Sequence, residues 1–453
     1  MAAWLGKRFR ANCRFVQGAQ WWSAERSRAY QTRQLREICR LAYEHSSFYR
    51  AVFDASGFDW REIRHPEDVA DLPTINRETL RAHVDEMCAV APTSAGVDYV
   101  STGGSSGTPL QFYIGAGRSA IEYAYLIASW QRCGYELGTP LAVFRGRVVP
   151  PDRNGLRHEY DPILRHHYYS AFHMTDADMR RYLEHVATIG PCFLHVYPSS
   201  IFALARFCRR TVFEPPRNIR GIIAESEIVY PEQRALVEKV FACRYFSCYG
   251  HTEKLILAAE CEHSTDYHVW PTYGYFELLD ESDRPVTTRG RRGEIVGTGF
   301  INTVIPFIRY RTGDFATYVA EHCEACGRWQ TIVRDIRGHR TQEVLIATDG
   351  SEIPWVALNM HDDTFARVRQ FQFYQDTPGR AVLRVVPADG FGEDDRRRIT
   401  ANLGRKLAGR IDFTIECVDA IRLTERGKAI YVDQRIAAGQ DCGVVAGGRS
   451  QEP

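Results

Sequence analysis

The chain has 453 residues, with 57 Lys plus Arg against 56 Asp plus Glu, and is 44% hydrophobic and 25% charged; such a globular composition at this length predicts a large domain plus a smaller one. The balanced charge gives no reason to invoke nucleic acid or an anionic membrane, and no run of about 18 apolar residues predicts a membrane span. Thirteen cysteines and no secretion signal read as reduced thiols of a cytoplasmic protein.

Residues 23–50 carry Leu35, Ile38, Leu41 and Ala42 at three- and four-residue steps, the apolar stripe of an amphipathic helix. Leu72-Pro73-Thr74 breaks the pattern, and Asn76 or Thr74 can cap a short helix carrying Leu80. From Tyr99-Val100 an extended segment enters a Gly/Ser-rich turn at 101–109, and strand character resumes at 110–114. Apolar segments at 141–144, 192–196, 219–224 and 245–249 read as buried strands, and helical patterns at 179–186 and 232–241 complete an α/β rhythm. A polar segment at 337–349 introduces further strands and a strong helix at 394–407, where Arg396-Arg397-Arg398 lie beside Asp394 and Asp395 as on a solvated face. The expected organisation is a large α/β domain at 1–337, a hinge at 338–343, a small mobile α+β domain at 344–437 and a disordered tail at 438–453.

Ser101-Thr102-Gly103-Gly104-Ser105-Ser106-Gly107-Thr108-Pro109 offers glycines whose backbone N–H groups can converge and hydroxyls that can donate to phosphate. No Lys-Ser/Thr follows the last glycine, so this is not a Walker loop, and a plain surface turn is the competing reading.

Four motifs in order carry a family resemblance. The segment 102–109 resembles the phosphate-loop signature of the adenylate-forming superfamily of acyl-CoA synthetases; Tyr249-Gly250-His251-Thr252-Glu253 is similar to its aromatic-Gly-x-Thr-Glu motif; Tyr310-Arg311-Thr312-Gly313-Asp314 matches its Tyr-Arg-Thr-Gly-Asp motif; and Thr424-Glu425-Arg426-Gly427-Lys428 is similar to the segment presenting its catalytic lysine. The stretch His45-Ser46-Ser47-Phe48-Tyr49-Arg50, with Leu72-Pro73, Thr108-Pro109-Leu110 and Gly338-His339-Arg340-Thr341-Gln342-Glu343, resembles the phenylacetate-CoA ligase branch, especially the CapK-like proteins associated with capsular polysaccharide genes.

The resemblance implies an AMP-forming ligase in which a carboxylate attacks the α-phosphate of ATP, pyrophosphate leaves, and the acyl group passes to coenzyme A or another thiol, with an amine or sugar as the alternative acceptor. It implies that Thr102, Gly103, Gly104, Ser105, Ser106 and Gly107 hold the β- and γ-phosphates, that Thr252 contacts phosphate, and that Glu253 helps hold Mg²⁺. Tyr249 with Gly250 would frame adenine together with Glu227, Asp314 would take both ribose hydroxyls, Arg340 would reach the nucleotide from the hinge, and Lys428 would act in adenylation. A helix N-terminus capped by Thr252 is the structural alternative for Thr252 and Glu253. A nucleotide-binding partner protein without catalysis is the alternative for the whole chain, against which Glu253, Asp314, Arg340 and Lys428 stand together.

Cys323-x-x-Cys326-Gly327 has the spacing of half a zinc site, with Cys261, His263 and His268 available upstream. The resemblance favours Cys261 and His268 as partners in a closed structural site; buried thiols without metal are the other reading. His166-His167 and His195 read as surface or satisfied core residues. The stretch Tyr168-Tyr169-Ser170-Ala171-Phe172 fits an acid pocket or an ordinary aromatic core equally.

Overall fold

In the computed structural model, which describes residues 6–102, 110–338, 343–358, 360, 363–422 and 431–436, the apolar stripe at 23–50 forms two helices rather than one. Ser46 divides them: its backbone N–H closes Ala24–His45 on the Ala42 carbonyl, and its hydroxyl accepts from Tyr49 N at 3.2 Å to open Ser47–Ser56. One side chain therefore caps the second helix at the point where the first has ended, a contribution of about 1 kcal/mol. Leu35, Ile38 and Ala42 are buried as the stripe requires. Asn76 caps Arg77–His83, accepting from Thr79 N at 2.9 Å, and Leu80 is buried. A first helix, Gly6–Ala19, is an addition to the expected elements; it buries only Phe9, Val16 and Ala19, too thin a stripe to stand out among its basic residues.

Strands Val97–Thr102 and Leu110–Gly115 pair antiparallel, with Thr102 opposite Leu110, so the Gly/Ser loop joins two paired strands. Leu110, Phe112 and Ile114 point inward, and Phe112 meets Phe307 edge-on at 5.3 Å. Residues 103–109 themselves lie outside the described residues.

Twelve strands form the main sheet. Its parallel part runs through Arg244–Gly250, Ile219–Ala224, Cys192–Val196, Leu141–Arg145 and His166–Ser170, with His158–Asp161 antiparallel at the edge. Helices Asp176–Val186, Pro198–Thr211 and Pro231–Phe241 pack Leu183, Ile201, Leu204 and Val237 on one face, against Ala142, Leu194 and Ile222. Ile127 and Trp130 of helix Arg118–Trp130 cover Val143, Phe193 and Ile223 on the other. Burial on both faces is why these strands read as unbroken apolar runs.

The other half of the sheet is antiparallel: Leu257–Ala259, Tyr267–Val269, Ile332–Arg337, Tyr310–Ala320, Arg292–Gly299 and Gly274–Leu279. Its backbones approach closely; a Cβ on Gly274 would lie 1.9 Å from the Leu255 carbonyl oxygen. The N-terminal helices are tied to this half by Arg309, which donates to the carboxylate of Glu277 at 3.0 and 3.3 Å and to the carbonyls of Ala70 (2.7 Å) and Leu72. The backbone turn at Leu72-Pro73 is thus held by a buried charge that is itself paired.

Beyond residue 343, strands Asp412–Cys417, Arg380–Pro387, Val368–Thr377 and Val432–Gln434 form a separate sheet, backed by helix Glu393–Leu407. Trp355 stacks on Tyr431 at 4.2 Å above a core of Phe371, Leu383, Ile399 and Leu403. Phe172 and Tyr197 of the main sheet region enter the same core, and Arg206 donates to Glu352 at 2.9 Å, so the two parts are in contact. Among the described residues no helix is long and apolar enough to cross a membrane, and the cysteines are free.

Candidate active site

In an open parallel sheet, ligands gather outside the carboxyl ends of the strands, where loops diverge and unpaired backbone groups face outward. Five such ends carry Arg145, Ser170, Tyr197, Glu225 and Gly250 at or just beyond the last strand residue. Tyr249 stands at one of them, and its phenol donates to Asp314 Oδ2 at 2.8 Å. The bond brings two of the expected nucleotide residues together from the parallel and antiparallel halves of the sheet.

The segment around Asp314 is locked in place. Thr312 Oγ1 donates to the Ile295 carbonyl at 2.7 Å and accepts from Asp314 N at 3.1 Å; Gly313 has φ 75°, and its N–H donates to Glu294 at 3.1 Å. Glycine is suited to that left-handed turn. Arg311 is spent on Glu294, at 2.6 and 2.9 Å, and on Asp283 at 2.5 Å, so it fixes the strand rather than facing a ligand. Asp314 is only partly buried, and among the described residues its other carboxylate oxygen makes no hydrogen bond.

Thr252 and Glu253 lie on a turn, closed by Lys254 N donating to the His251 carbonyl at 3.2 Å, with Lys254 at φ 60°. The helix start that would have made Thr252 a cap is absent there, and strand Leu257–Ala259 follows instead. His251, between Tyr249 and this turn, was not singled out from sequence. Its ring meets Tyr249 edge-on at 5.6 Å, both ring nitrogens are buried without a hydrogen-bond partner among the described residues, and burial pulls its pKa down to about 4. A neutral imidazole with two unused positions beside Tyr249 can donate to or accept from a bound group.

Glu227 accepts from Ser199 N at 2.7 Å and from Ser199 Oγ at 2.9 Å, and desolvation pushes it up to about 7 despite these bonds. It follows Ser226, whose φ of 76° bends the chain at the end of Ile219–Ala224. Beside it lies a network that the sequence reading missed. Arg145 donates to Glu225 at 2.9 Å and to Ser226 Oγ at 2.7 Å, Trp130 Nε1 donates to Glu225 at 2.9 Å, and His195 Nε2 lies 2.6 Å from Arg145 and 3.2 Å from Glu225. Burial alone would raise Glu225, but His195, Arg145 and Trp130 hold it down at about 2. The available signal was a charged residue ending each apolar strand, Arg145 after 141–144 and Glu225 after 219–224. His195 is a satisfied group, as expected, although its partners are charged. Tyr169 is core: it stacks on Phe144 at 4.7 Å and is fully buried.

Cys261, His268, Cys323 and Cys326 offer ligand atoms that all lie within 4.8 Å of one another. His268 is buried with Nε2 unpartnered among the described residues, Cys326 Sγ lies 4.0 Å from His268 Nδ1, and the backbone N–H of His263 donates to Cys261 Sγ at 3.4 Å. The His263 ring itself is on an exposed residue outside the cluster. Gly327 N donates to the Cys323 carbonyl at 2.7 Å, folding the Cys-x-x-Cys turn so that both thiols face one point. Two cysteines on a turn plus a buried Cys and His is a donor set that fits a closed tetrahedral zinc site. Arg340, Lys428 and Gly103, Gly104, Ser105, Ser106 and Gly107 of the phosphate loop lie outside the described residues, and of Thr102 only the backbone is described.

No family model matches the chain. It is 23% identical over 414 residues to protein CapK of Staphylococcus aureus, spanning 90% of this chain and 89% of that protein, and 24% identical over 328 residues to the phenylacetate-coenzyme A ligase of Thermus thermophilus, spanning 71% and 72%. Over most of its length the chain is thus similar to CapK and to phenylacetate-CoA ligases. In fold it is similar to a 2-hydroxyisobutyryl-CoA ligase in complex with 2-HIB-AMP and CoA, with a TM-score of 0.58, 20% identity, and 92% and 91% of the two chains covered. The segments that resemble the adenylate-forming motifs fall at the end of strand Arg244–Gly250 and around Asp314.

Proposed function

We propose that this chain is an ATP-dependent, AMP-forming ligase that converts a carboxylic acid to an acyl-adenylate and passes the acyl group to coenzyme A. The observation that carries the reading is the Tyr249–Asp314 hydrogen bond of 2.8 Å at the carboxyl end of the parallel strands, in a chain similar to CapK over most of its length. Tyr249 offers a flat face for adenine, with Gly250 leaving room beside it, and Glu227 frames the base. Asp314, acceptor-only when ionised, takes both ribose hydroxyls through its free oxygen and the one shared with Tyr249. Thr252 donates to phosphate, and the loop from Thr102 through Gly107 gathers the β- and γ-phosphates with backbone amides and hydroxyls. Glu253 is the carboxylate for Mg²⁺, which when bound neutralises phosphate charge.

Arg340 at the hinge and Lys428 on the small domain, residues 344–437, complete the nucleotide site. The contact of Phe172 and Tyr197 with the small-domain core supports one docked position of a part that moves between the two half-reactions. Cys261, His268, Cys323 and Cys326 hold a structural zinc, which with four protein ligands has no open position for catalysis. Coenzyme A as acceptor is supported by the names of the relatives, and the polysaccharide setting expected from the CapK-like motifs enters as the choice of acid.

Purified protein with Mg²⁺ and ATP should catalyse carboxylate-dependent exchange of pyrophosphate into ATP. The acid panel should include aryl, acyl, amino and sugar-linked acids, followed by transfer tests with coenzyme A, amines and sugars. Steady failure in exchange by a folded, ATP-binding sample would instead favour a nucleotide-binding partner protein. Exchange with transfer only to an amine or sugar would replace coenzyme A in the scheme.

A further inference from the structure

A second group of metal-ligating side chains stands at the His158–Asp161 edge of the main sheet, whereas His268 of the cysteine cluster lies on an interior strand. His158 lies on the edge strand His158–Asp161, which pairs antiparallel with His166–Ser170 so that His158 faces Tyr169 and Tyr160 faces His167. Residues two apart on a strand share a face, so His158, Tyr160, His167 and Tyr169 all project to one side. Helix Asp176–Val186 covers that side and brings His185, in its last turn, onto the two imidazoles. His158 Nε2 lies 3.0 Å from His167 Nδ1, the His158 and His185 rings are 4.2 Å apart, and one nitrogen from each of the three rings lies within 4.8 Å of the others.

We propose that His158, His167 and His185 form a binding site for a divalent transition-metal ion of zinc type, separate from the cysteine cluster and from the nucleotide site. Two nitrogens bound to one tetrahedral zinc stand roughly 3.3 Å apart, given Zn–N bonds of about 2.0–2.1 Å. The His158–His167 spacing is already close to this, and small side-chain rotations bring in the third ring. Tyr169 fixes the orientation of His185, its hydroxyl 2.7 Å from Nδ1, which leaves Nε2 for the ion. An all-imidazole donor set without a carboxylate selects zinc, copper, nickel or cobalt over magnesium and calcium. All three residues are only half-buried, which leaves an entry path and a fourth position for water. Bound there, the ion ties the edge strand to the crossover helix, a link that no covalent or charged contact among the described residues supplies at these three side chains.

The test uses the full chain without a histidine tag, equilibrated with Zn²⁺, freed of loose metal and measured by elemental analysis and thermal unfolding. Wild type should hold about one zinc per chain more than the His167→Ala/His185→Ala variant. In a Cys323→Ser/Cys326→Ser background, zinc should raise Tm by several degrees, and adding the two histidine substitutions should abolish that response while leaving the metal-free Tm nearly unchanged. With Co²⁺ the same background should show visible ligand-field bands without the thiolate-to-cobalt charge-transfer band. If the cysteine background does not fold, the comparison of wild type with His167→Ala/His185→Ala decides alone. Equal zinc content in those two proteins, or an unchanged Tm response, overturns the proposal.

Discussion

Tyr249 and Asp314 are 65 residues apart in the chain, and a single hydrogen bond of 2.8 Å joins them across the point where the sheet changes from parallel to antiparallel. The bond uses one carboxylate oxygen of Asp314 and holds the tyrosine ring at the strand end, so the two groups expected to meet adenosine are oriented before any ligand arrives.

The first consequence is a difference between two small substitutions. Asp314→Asn replaces one of the two acceptors with an amide donor, and hydrogen bonds to a charged group are worth roughly 1.5–3 kcal/mol, so the KM for ATP should rise by about 10- to 100-fold. Tyr249→Phe keeps the stacking face and should change that KM only a few-fold. Steady-state kinetics on both variants checks this; a larger effect from Tyr249→Phe than from Asp314→Asn would assign the binding energy to the phenol.

Glu227 makes stability depend on pH. Its folded-state pKa is pushed up to about 7 by desolvation, so between the ordinary carboxylate range and neutral pH the native chain keeps a proton that the unfolded chain releases. The native state then binds more protons, and stability falls as pH rises through that window. Glu227→Gln, which keeps a carbonyl for the Ser199 donors, removes the dependence. Thermal unfolding from pH 4.5 to 8 should therefore show the variant gaining on wild type as pH rises; parallel curves would mean that Glu227 ionises normally.

For the cysteine cluster, Cys261→Ser and Cys326→Ser should each lower the zinc content by about one ion per chain and reduce Tm, because a structural zinc site lost from the native state is lost folding free energy. His263→Ala should leave both unchanged, since that residue is exposed and only its backbone N–H touches Cys261. Elemental analysis of the three variants measures it, and zinc loss in His263→Ala with retention in His268→Ala would reverse the assignment of the histidine ligand.

These sites differ in how far they could be read from the residues alone. The parallel strands were legible because burial on both faces makes each a run of apolar residues, and 192–196 and 219–224 match Cys192–Val196 and Ile219–Ala224 end to end. The antiparallel half was not, since Leu257–Ala259 and Tyr267–Val269 are too short for any period to show. Cys323 and Cys326 announce themselves by spacing. Arg145 and Glu225 do not, being 80 residues apart in the chain and joined only because their strands flank Cys192–Val196 in the sheet and end at the same side. His167 could be read only as a surface or core residue for the same reason: its neighbours His158 and His185 arrive through a strand register and a helix that no local pattern encodes. The split at Ser46 was missed because the apolar stripe continues across it, and only the hydroxyl's bond to Tyr49 N shows that a new helix begins.

Lys428, in Thr424-Glu425-Arg426-Gly427-Lys428, lies outside the described residues, and its expected role rests on that motif. Adenylation brings an anionic carboxylate towards an anionic phosphate, so a cation between them lowers repulsion and orients the attack. Such a charge contributes mainly where the bond forms, and its removal costs about 3–4 kcal/mol of transition-state stabilisation, or roughly 10²- to 10³-fold in rate. In a ligase whose small domain turns after adenylation, the lysine leaves before thioester formation. Lys428→Ala should therefore lose carboxylate-dependent pyrophosphate exchange by that factor, with a KM for ATP within a few-fold of wild type, while still consuming supplied acyl-adenylate with coenzyme A. The two half-reactions, measured separately on one preparation, distinguish the outcomes. Near-normal exchange would leave Lys428 an ordinary surface residue, and equal loss of both steps would point to a damaged small domain.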